Sequence, residues 1–177
     1  MKNNIILIGF MGCGKSTVGK QLAQDYGMCF LDTDAWIEDK EKITISEIFA
    51  AKGEAYFREL ETKCLETLLK ENTEESYNSK SGKVISVGGG LPVKEENRRL
   101  LKKLGTVIYL KATEETIYER LKKDTTRPLL QGDNPKQKIR ELMDTREDKY
   151  IEASDLVVVV DCKKVADVLD EIQSILV

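Results

Sequence analysis

The chain has no histidine at all, and only four cysteines, three prolines and one tryptophan among 177 residues. Without histidine, serine–histidine–aspartate and cysteine–histidine catalysis are excluded, as is any histidine-ligated metal. Cys13, Cys29, Cys64 and Cys162 lie far apart with no paired spacing, so they give neither a disulfide framework nor a thiolate zinc site. They are expected to be buried free thiols, with Cys13 a small filler of its loop. No apolar run approaches the roughly 20 residues that span a membrane, and with a strand expected from Ile5, residues 1–4 are not expected to form a signal or transit peptide. Net charge is −3 with no basic stripe, which argues against a nucleic-acid partner. A length of 177 residues suits one domain, and 33% charged residues suit a soluble one. The expectation is one cytoplasmic, monomeric domain over 1–177, with no membrane partner.

What the chain does have is a glycine loop near its start, Gly9-Phe10-Met11-Gly12-Cys13-Gly14-Lys15-Ser16-Thr17. It fits the pattern Gly, four residues, Gly-Lys-Ser/Thr, which holds phosphates. The apolar Ile5-Ile6-Leu7-Ile8 before it reads as a buried strand, and Val18, Leu22 and Ala23 after it fall at helical spacing. Glycines let successive N–H groups approach an anion, and the helix N-terminus adds partial positive charge there. Gly12, Cys13, Gly14, Lys15, Ser16 and Thr17 are therefore the candidate nucleotide cradle. Lys15 would reach the outer phosphates of ATP and the Ser16 hydroxyl would ligate Mg²⁺. The bland alternative is a glycine-rich turn that binds nothing.

Further strands are predicted at 28–31, 84–87, 107–110 and 156–160. Helices alternate with them: 35–42, a capping-box start at Thr44–Glu47 stopped by Gly53, 54–72, an exposed helix at 94–103, 114–123, one starting at Asn134-Pro135, and a last one with Val165, Val168, Leu169 and Ile172 inward. Alternation of this kind implies a three-layer α/β/α domain with a five-stranded parallel sheet. Residues 74–82 read as a surface loop and 124–134 as a lid. Asp32 and Asp34 end the second strand, where open α/β sheets place ligand groups. The bland reading of Asp34 is a helix N-cap. Arg58 and Glu61 lie three apart on a helix, which by itself suggests an ordinary surface ion pair. Gly88-Gly89-Gly90 after the third strand permits close approach of the backbone to a ligand, or simply a turn.

Taken together, the glycine loop with Gly19, Asp32-Thr33-Asp34, Phe57-Arg58-Glu59-Leu60-Glu61, Gly88-Gly89-Gly90, Arg127-Pro128-Leu129-Leu130, and Arg146 four before Tyr150 resemble shikimate kinase. The resemblance implies a nucleoside-monophosphate-kinase-like P-loop fold. It implies transfer of the ATP γ-phosphoryl group to the 3-hydroxyl of shikimate, a step of aromatic amino acid biosynthesis. It also implies roles by position. Asp34 would bind ring hydroxyls and accept the proton of the attacking one, and Asp32 would hold Mg²⁺ through water. Arg58 and Arg146 would grip the substrate carboxylate, with Glu61 orienting Arg58. Gly88, Gly89 and Gly90 would line the substrate, and Arg127 would close over the phosphates on the lid. A related small-molecule kinase such as gluconate kinase is the competing reading, and a silent ATP-binding module a third.

Overall fold

A computed structural model of the chain describes residues 4–75, 82–122 and 134–176, with the backbone alone over 73–75. Five parallel strands stand in the order β2-β3-β1-β4-β5. They are β1 (Ile5–Ile8), β2 (Cys29–Asp32), β3 (Lys83–Ser86), β4 (Thr106–Lys111) and β5 (Leu156–Val159). The described helices are α1 (Lys15–Asp25), α2 (Thr33–Glu41), α3 (Ile45–Glu75), α4 (Glu95–Leu104), α5 (Glu114–Leu121), α6 (Pro135–Ala153) and α7 (Val165–Leu176). The central strand explains the layering. Ile6, Leu7 and Ile8 have no exposed surface, and burying each is worth about 1.5–3 kcal/mol. A strand covered on both faces must be apolar at every position instead of alternating. The expected three-layer α/β/α architecture with a five-stranded parallel sheet is what the chain adopts.

Local chemistry shifted several boundaries. Asp32 caps α2, its Oδ1 accepting from Asp34 N at 3.0 Å and Ala35 N at 3.3 Å, so the helix begins at Thr33 instead of residue 35. The capping box forms as expected, with Thr44 N donating to Glu47 Oε2 at 2.7 Å and Glu47 N to Thr44 Oγ1 at 3.3 Å. Gly53, at φ 80° and ψ 174°, breaks α3 into the two expected helices joined at a kink. Asn134 Oδ1 caps α6 by accepting from Gln137 N at 3.4 Å.

Four expectations need correction. Cys29 and Cys162 are exposed, and only Cys13 and Cys64 are buried thiols. Burial lifts the Cys64 thiol to about 12, so it stays protonated. Val165 is exposed instead of inward, because α7 turns that side towards a cavity. Helix α4 is half interior, with Asn97, Leu101 and Leu104 buried. Glu61, read as one half of a surface pair, is only 1% exposed. Residues 124–133 of the expected lid, and 76–81 of the expected loop, lie outside the described residues.

All strands being parallel, the segments that follow β1, β2 and β3 emerge at one edge of the sheet. The glycine loop, Asp32–Asp34 and Gly88–Gly90 therefore meet there.

Candidate active site

The phosphate loop closes on its own lysine. Lys15 Nζ donates to Gly9 O at 2.8 Å and Phe10 O at 3.0 Å, and lies 3.8 Å from Cys13 Sγ. An ammonium has three protons, so two carbonyls hold it in place while the third points at the weak acceptor Cys13 Sγ, which a phosphate oxygen would displace. From the other side, Arg120 Nη1 on α5 donates to Gly12 O at 3.2 Å and Cys13 O at 3.1 Å. The loop is thus braced by two cations whose charge also faces the same cavity.

Asp32 divides its carboxylate between two tasks. While Oδ1 caps α2, Oδ2 accepts from Ser16 Oγ at 3.0 Å. Ser86, paired in register with Asp32, brings its hydroxyl to 3.5 Å from Ser16 Oγ. These hard oxygens fit Mg²⁺, which keeps several waters and takes one or two protein ligands beside nucleotide phosphates. Among the described residues no cluster of three or more acidic or cysteine side chains forms a ready-made cage.

The opposite half is built from α2, α3, α6 and the glycine segment. Asp32 takes the cap, so the N-cap reading of Asp34 is set aside. A Cβ placed on Gly88 would sit 2.6 Å from Asp34 Oδ1 and 3.1 Å from Glu61 Oε1. A side chain there would have to displace both carboxylates. A Cβ on Gly90 would sit 2.4 Å from Arg58 Nη1, so the guanidinium lies directly against that backbone. Arg58 donates to Glu61 Oε2 at 2.8 Å and to Glu54 Oε1 at 2.9 Å. Burial pulls the Arg58 pKa down, but its two glutamates outweigh that and hold it above its usual value. Burial drives Glu61 up to about 7 against the pull of Arg58, with Asp34 adding to the rise. Its Oε1 has no hydrogen-bond partner among the described residues. That buried acceptor suits a hydroxyl donor from a ligand.

Arg146 extends from α6 over the Phe10 ring, 5.7 Å from its centre, and forms no salt bridge among the described residues. One turn further on, Tyr150 Oη donates to Gly89 O at 2.6 Å. Gly88 N donates to the buried Thr33 Oγ1 at 3.1 Å. Every described candidate residue lines one cavity of about 670 Å³, a usual size for a small-molecule site. Arg127 lies outside the described residues.

The model of the shikimate kinase family matches residues 11–177. The chain belongs to the shikimate kinase family. Its activity is that family's, ATP-dependent phosphorylation of a small-molecule alcohol, shikimate. A shikimate kinase of Sulfurihydrogenibium sp. (strain YO3AOP1) is 46% identical over 147 residues, 83% of this chain and 82% of that one. The solved shikimate kinase from Acinetobacter baumannii, in complex with shikimate, superposes with a TM-score of 0.87 at 37% identity, covering 98% of this chain and 92% of that one. A gluconokinase from Sinorhizobium meliloti 1021 reaches a TM-score of 0.58 at 21% identity, covering 96% and 89%. That likeness is one of fold alone, and the gluconate kinase alternative is the weaker.

Several residues of this shikimate kinase site were not legible in the sequence. Local pattern gives Arg120, Ser86, Tyr150 and Thr33 no role, nor Lys163, which lines the cavity with Val165 and Val168. Arg120 reads as one more solvated charge on α5. Only the packing of α5 against the glycine loop gives it a target.

Proposed function

We propose that the chain catalyses Mg²⁺-dependent transfer of the ATP γ-phosphoryl group to the 3-hydroxyl of shikimate, giving shikimate 3-phosphate and ADP, as a monomeric cytoplasmic domain spanning 1–177. The observation that carries this reading is the shared cavity. The glycine loop, Asp34, and the two guanidinium-bearing residues Arg58 and Arg146 all face it. No helix among the described residues is long and apolar enough to cross a membrane.

Gly12 to Thr17 cradle the phosphates through backbone N–H groups, and Lys15 turns the donor now held by Cys13 Sγ to them. Ser16 and Asp32 would hold Mg²⁺, Asp32 through water; the ion neutralises phosphate charge when bound. Arg58 and Arg146 take the shikimate carboxylate, for which planar guanidinium groups are well shaped. Glu61 orients Arg58 and offers Oε1 to a ring hydroxyl, beside the Gly88–Gly90 backbone. Asp34 accepts the proton of the attacking hydroxyl as its oxygen bonds to the γ-phosphorus. The bond from that phosphorus to the bridging oxygen breaks, and ADP leaves with the electron pair. For Arg127, the family pattern alone assigns neutralisation of charge in the transition state.

The test is ADP release from ATP and Mg²⁺ with shikimate, with gluconate, and with no acceptor. Turnover with shikimate and neither control is expected. Folded, ATP-binding protein with no shikimate-dependent turnover would overturn the reading. A solution mass near 20.0 kDa by light scattering is expected for the monomer.

A further inference from the structure

Helix α4 contributes nothing to the cavity wall, yet its two most constrained polar residues both point back at the segment that follows Gly88–Gly90. That segment, Leu91–Val93, is a short 3-10 turn. Its N–H groups are satisfied locally, with Leu91 N donating to Gly88 O at 3.0 Å and Val93 N to Gly90 O at 3.1 Å. Its carbonyls are not, and a turn this short leaves them needing donors from elsewhere. Neighbouring residues of α4 supply those donors. Asn97 Nδ2 donates to Leu91 O at 2.9 Å. Arg98 Nη1 donates to Pro92 O at 3.0 Å and Val93 O at 2.8 Å.

Each of the two then reaches a different helix. Asn97 Oδ1 accepts from Thr62 Oγ1 on α3 at 2.8 Å. Thr62 has one hydroxyl proton, so this shorter contact takes it ahead of Arg58 O at 3.2 Å, while Lys94 Nζ donates into the same oxygen at 3.0 Å. Thr62 follows Glu61 directly and sits one turn beyond Arg58. Arg98 turns the other way. Its Nε lies 3.1 Å from Glu152 Oε2 on α6, close enough for charge attraction though without an aligned hydrogen bond. Helix α6 carries Arg146, and its Tyr150 already holds Gly89 O.

We propose that Asn97 and Arg98 are positioning residues for the acceptor site. Side by side, they fasten the Leu91–Val93 turn to α3 through Thr62 and to α6 through Glu152. In this way they fix the spacing of Arg58 and Arg146 and the seat of Gly90 beneath Arg58. The inference rests on the two-arginine carboxylate grip of the proposed function. Asn97 is wholly buried. A buried amide adds little net stability over a well-packed apolar side chain, but a satisfied one permits only one arrangement of its partners. The Arg58 guanidinium lies directly against Gly90, so a shift of that backbone moves the guanidinium with it.

Thr62→Val and Arg98→Lys test the clamp without a change in helix packing volume or charge. Thr62→Val should raise the shikimate KM about tenfold, the effect of one lost buried hydrogen bond, and Arg98→Lys about threefold, the effect of a weaker, partly exposed one. The ATP KM should stay within about twofold, since α1 and the glycine loop are untouched. Thr62→Ser, which keeps the hydroxyl, should restore the shikimate KM. In an Arg58→Ala background, Thr62→Val should add less than about twofold, because it acts through Arg58. A merely structural role predicts a lower Tm with both KM values unmoved, and that result overturns the proposal. So does an equal rise in both KM values, or full additivity with Arg58→Ala. If the unaltered protein releases no ADP in response to shikimate, the functional reading itself falls and takes the clamp's role with it. Normal turnover with insensitive variants overturns the clamp alone.

Discussion

Arg58 and Glu61 meet across 2.8 Å one helical turn apart, yet the arginine side chain is 30% exposed and the glutamate 1%. An exposed pair at this spacing contributes a few tenths of a kcal/mol. Here the burial of one partner changes the chemistry. Glu61 titrates near 7 because desolvation outweighs its arginine, and its second oxygen remains an acceptor facing Gly88.

Glu61 has a folded-state pKa of about 7 against an ordinary 4.5. Between those values the folded protein keeps a proton that the unfolded chain has released. Its contribution to stability is therefore fully present below about 4.5 and is lost as pH rises through about 7. Urea unfolding of Glu61→Gln should lack that decline, so its stability relative to the unaltered protein should rise between pH 4.5 and 7.5. A difference independent of pH would remove Glu61 as the titrating group.

The two arginines should separate by stability. Arg58→Ala leaves Glu61 buried without its guanidinium donor, which favours the neutral carboxyl and costs about 1–3 kcal/mol for the lost hydrogen bond. It should lower Tm and raise the shikimate KM by about a hundredfold, the loss of a charged hydrogen-bond pair. Arg146→Ala should raise that KM comparably with little change in Tm, since Arg146 forms no salt bridge among the described residues. Steady-state kinetics beside a thermal melt checks both.

Asp34→Asn should reduce kcat by about 10²–10⁴-fold, the usual range for a lost general base. ATP affinity should be nearly unchanged, because Asp34 lies against Gly88 and not against the glycine loop. Nucleotide titration by calorimetry makes the comparison, and a parallel loss of ATP binding would count against an acceptor-side role.

Asp32 should yield different results for its two oxygens. Asp32→Asn retains an oxygen to cap α2 but loses the charge facing Ser16. The Mg²⁺ concentration for half-maximal rate should rise several-fold while Tm changes little. Asp32→Ala should show the same metal defect and lose in addition about 1 kcal/mol of cap. Equal Tm losses in both variants would show that the cap is not what the carboxylate supplies.

Lys15→Met should fail at the phosphate end, with kcat down about 10³-fold as for other lost transition-state charge contacts. It should also loosen the loop, because Gly9 O and Phe10 O lose their shared donor. A near-normal rate in that variant would refute the phosphate-loop assignment.

The sequence made the fold legible because each element carries its own local signal. Ile5–Ile8 is apolar at every position, Thr44–Glu47 spells a capping box, and Asn134-Pro135 opens a helix. These depend on neighbours a few residues apart. The phosphate loop is equally local, since its glycines, Lys15 and Ser16 act within one turn of backbone. The motifs of the acceptor site were also visible, but only as a resemblance between scattered residues.

Tertiary structure decided what those residues experience. Burial of Glu61 depends on α3 meeting α2 and the Gly88 segment, so no pattern along α3 distinguishes it from a surface charge. Asp34 is released from capping because Asp32 takes that place, a contest between adjacent carboxylates settled by backbone geometry at the end of β2. Arg120 gains its role only when α5 docks on the glycine loop, over 100 residues away in sequence. Asn97, expected on an exposed helix, proves to be wholly interior. Local sequence determines the strands, helices and the donor loop, since short-range sterics and hydrogen bonds suffice for them. Charge state, reach and partners of the acceptor residues were decided by packing, because desolvation and proximity exist only once distant segments have met.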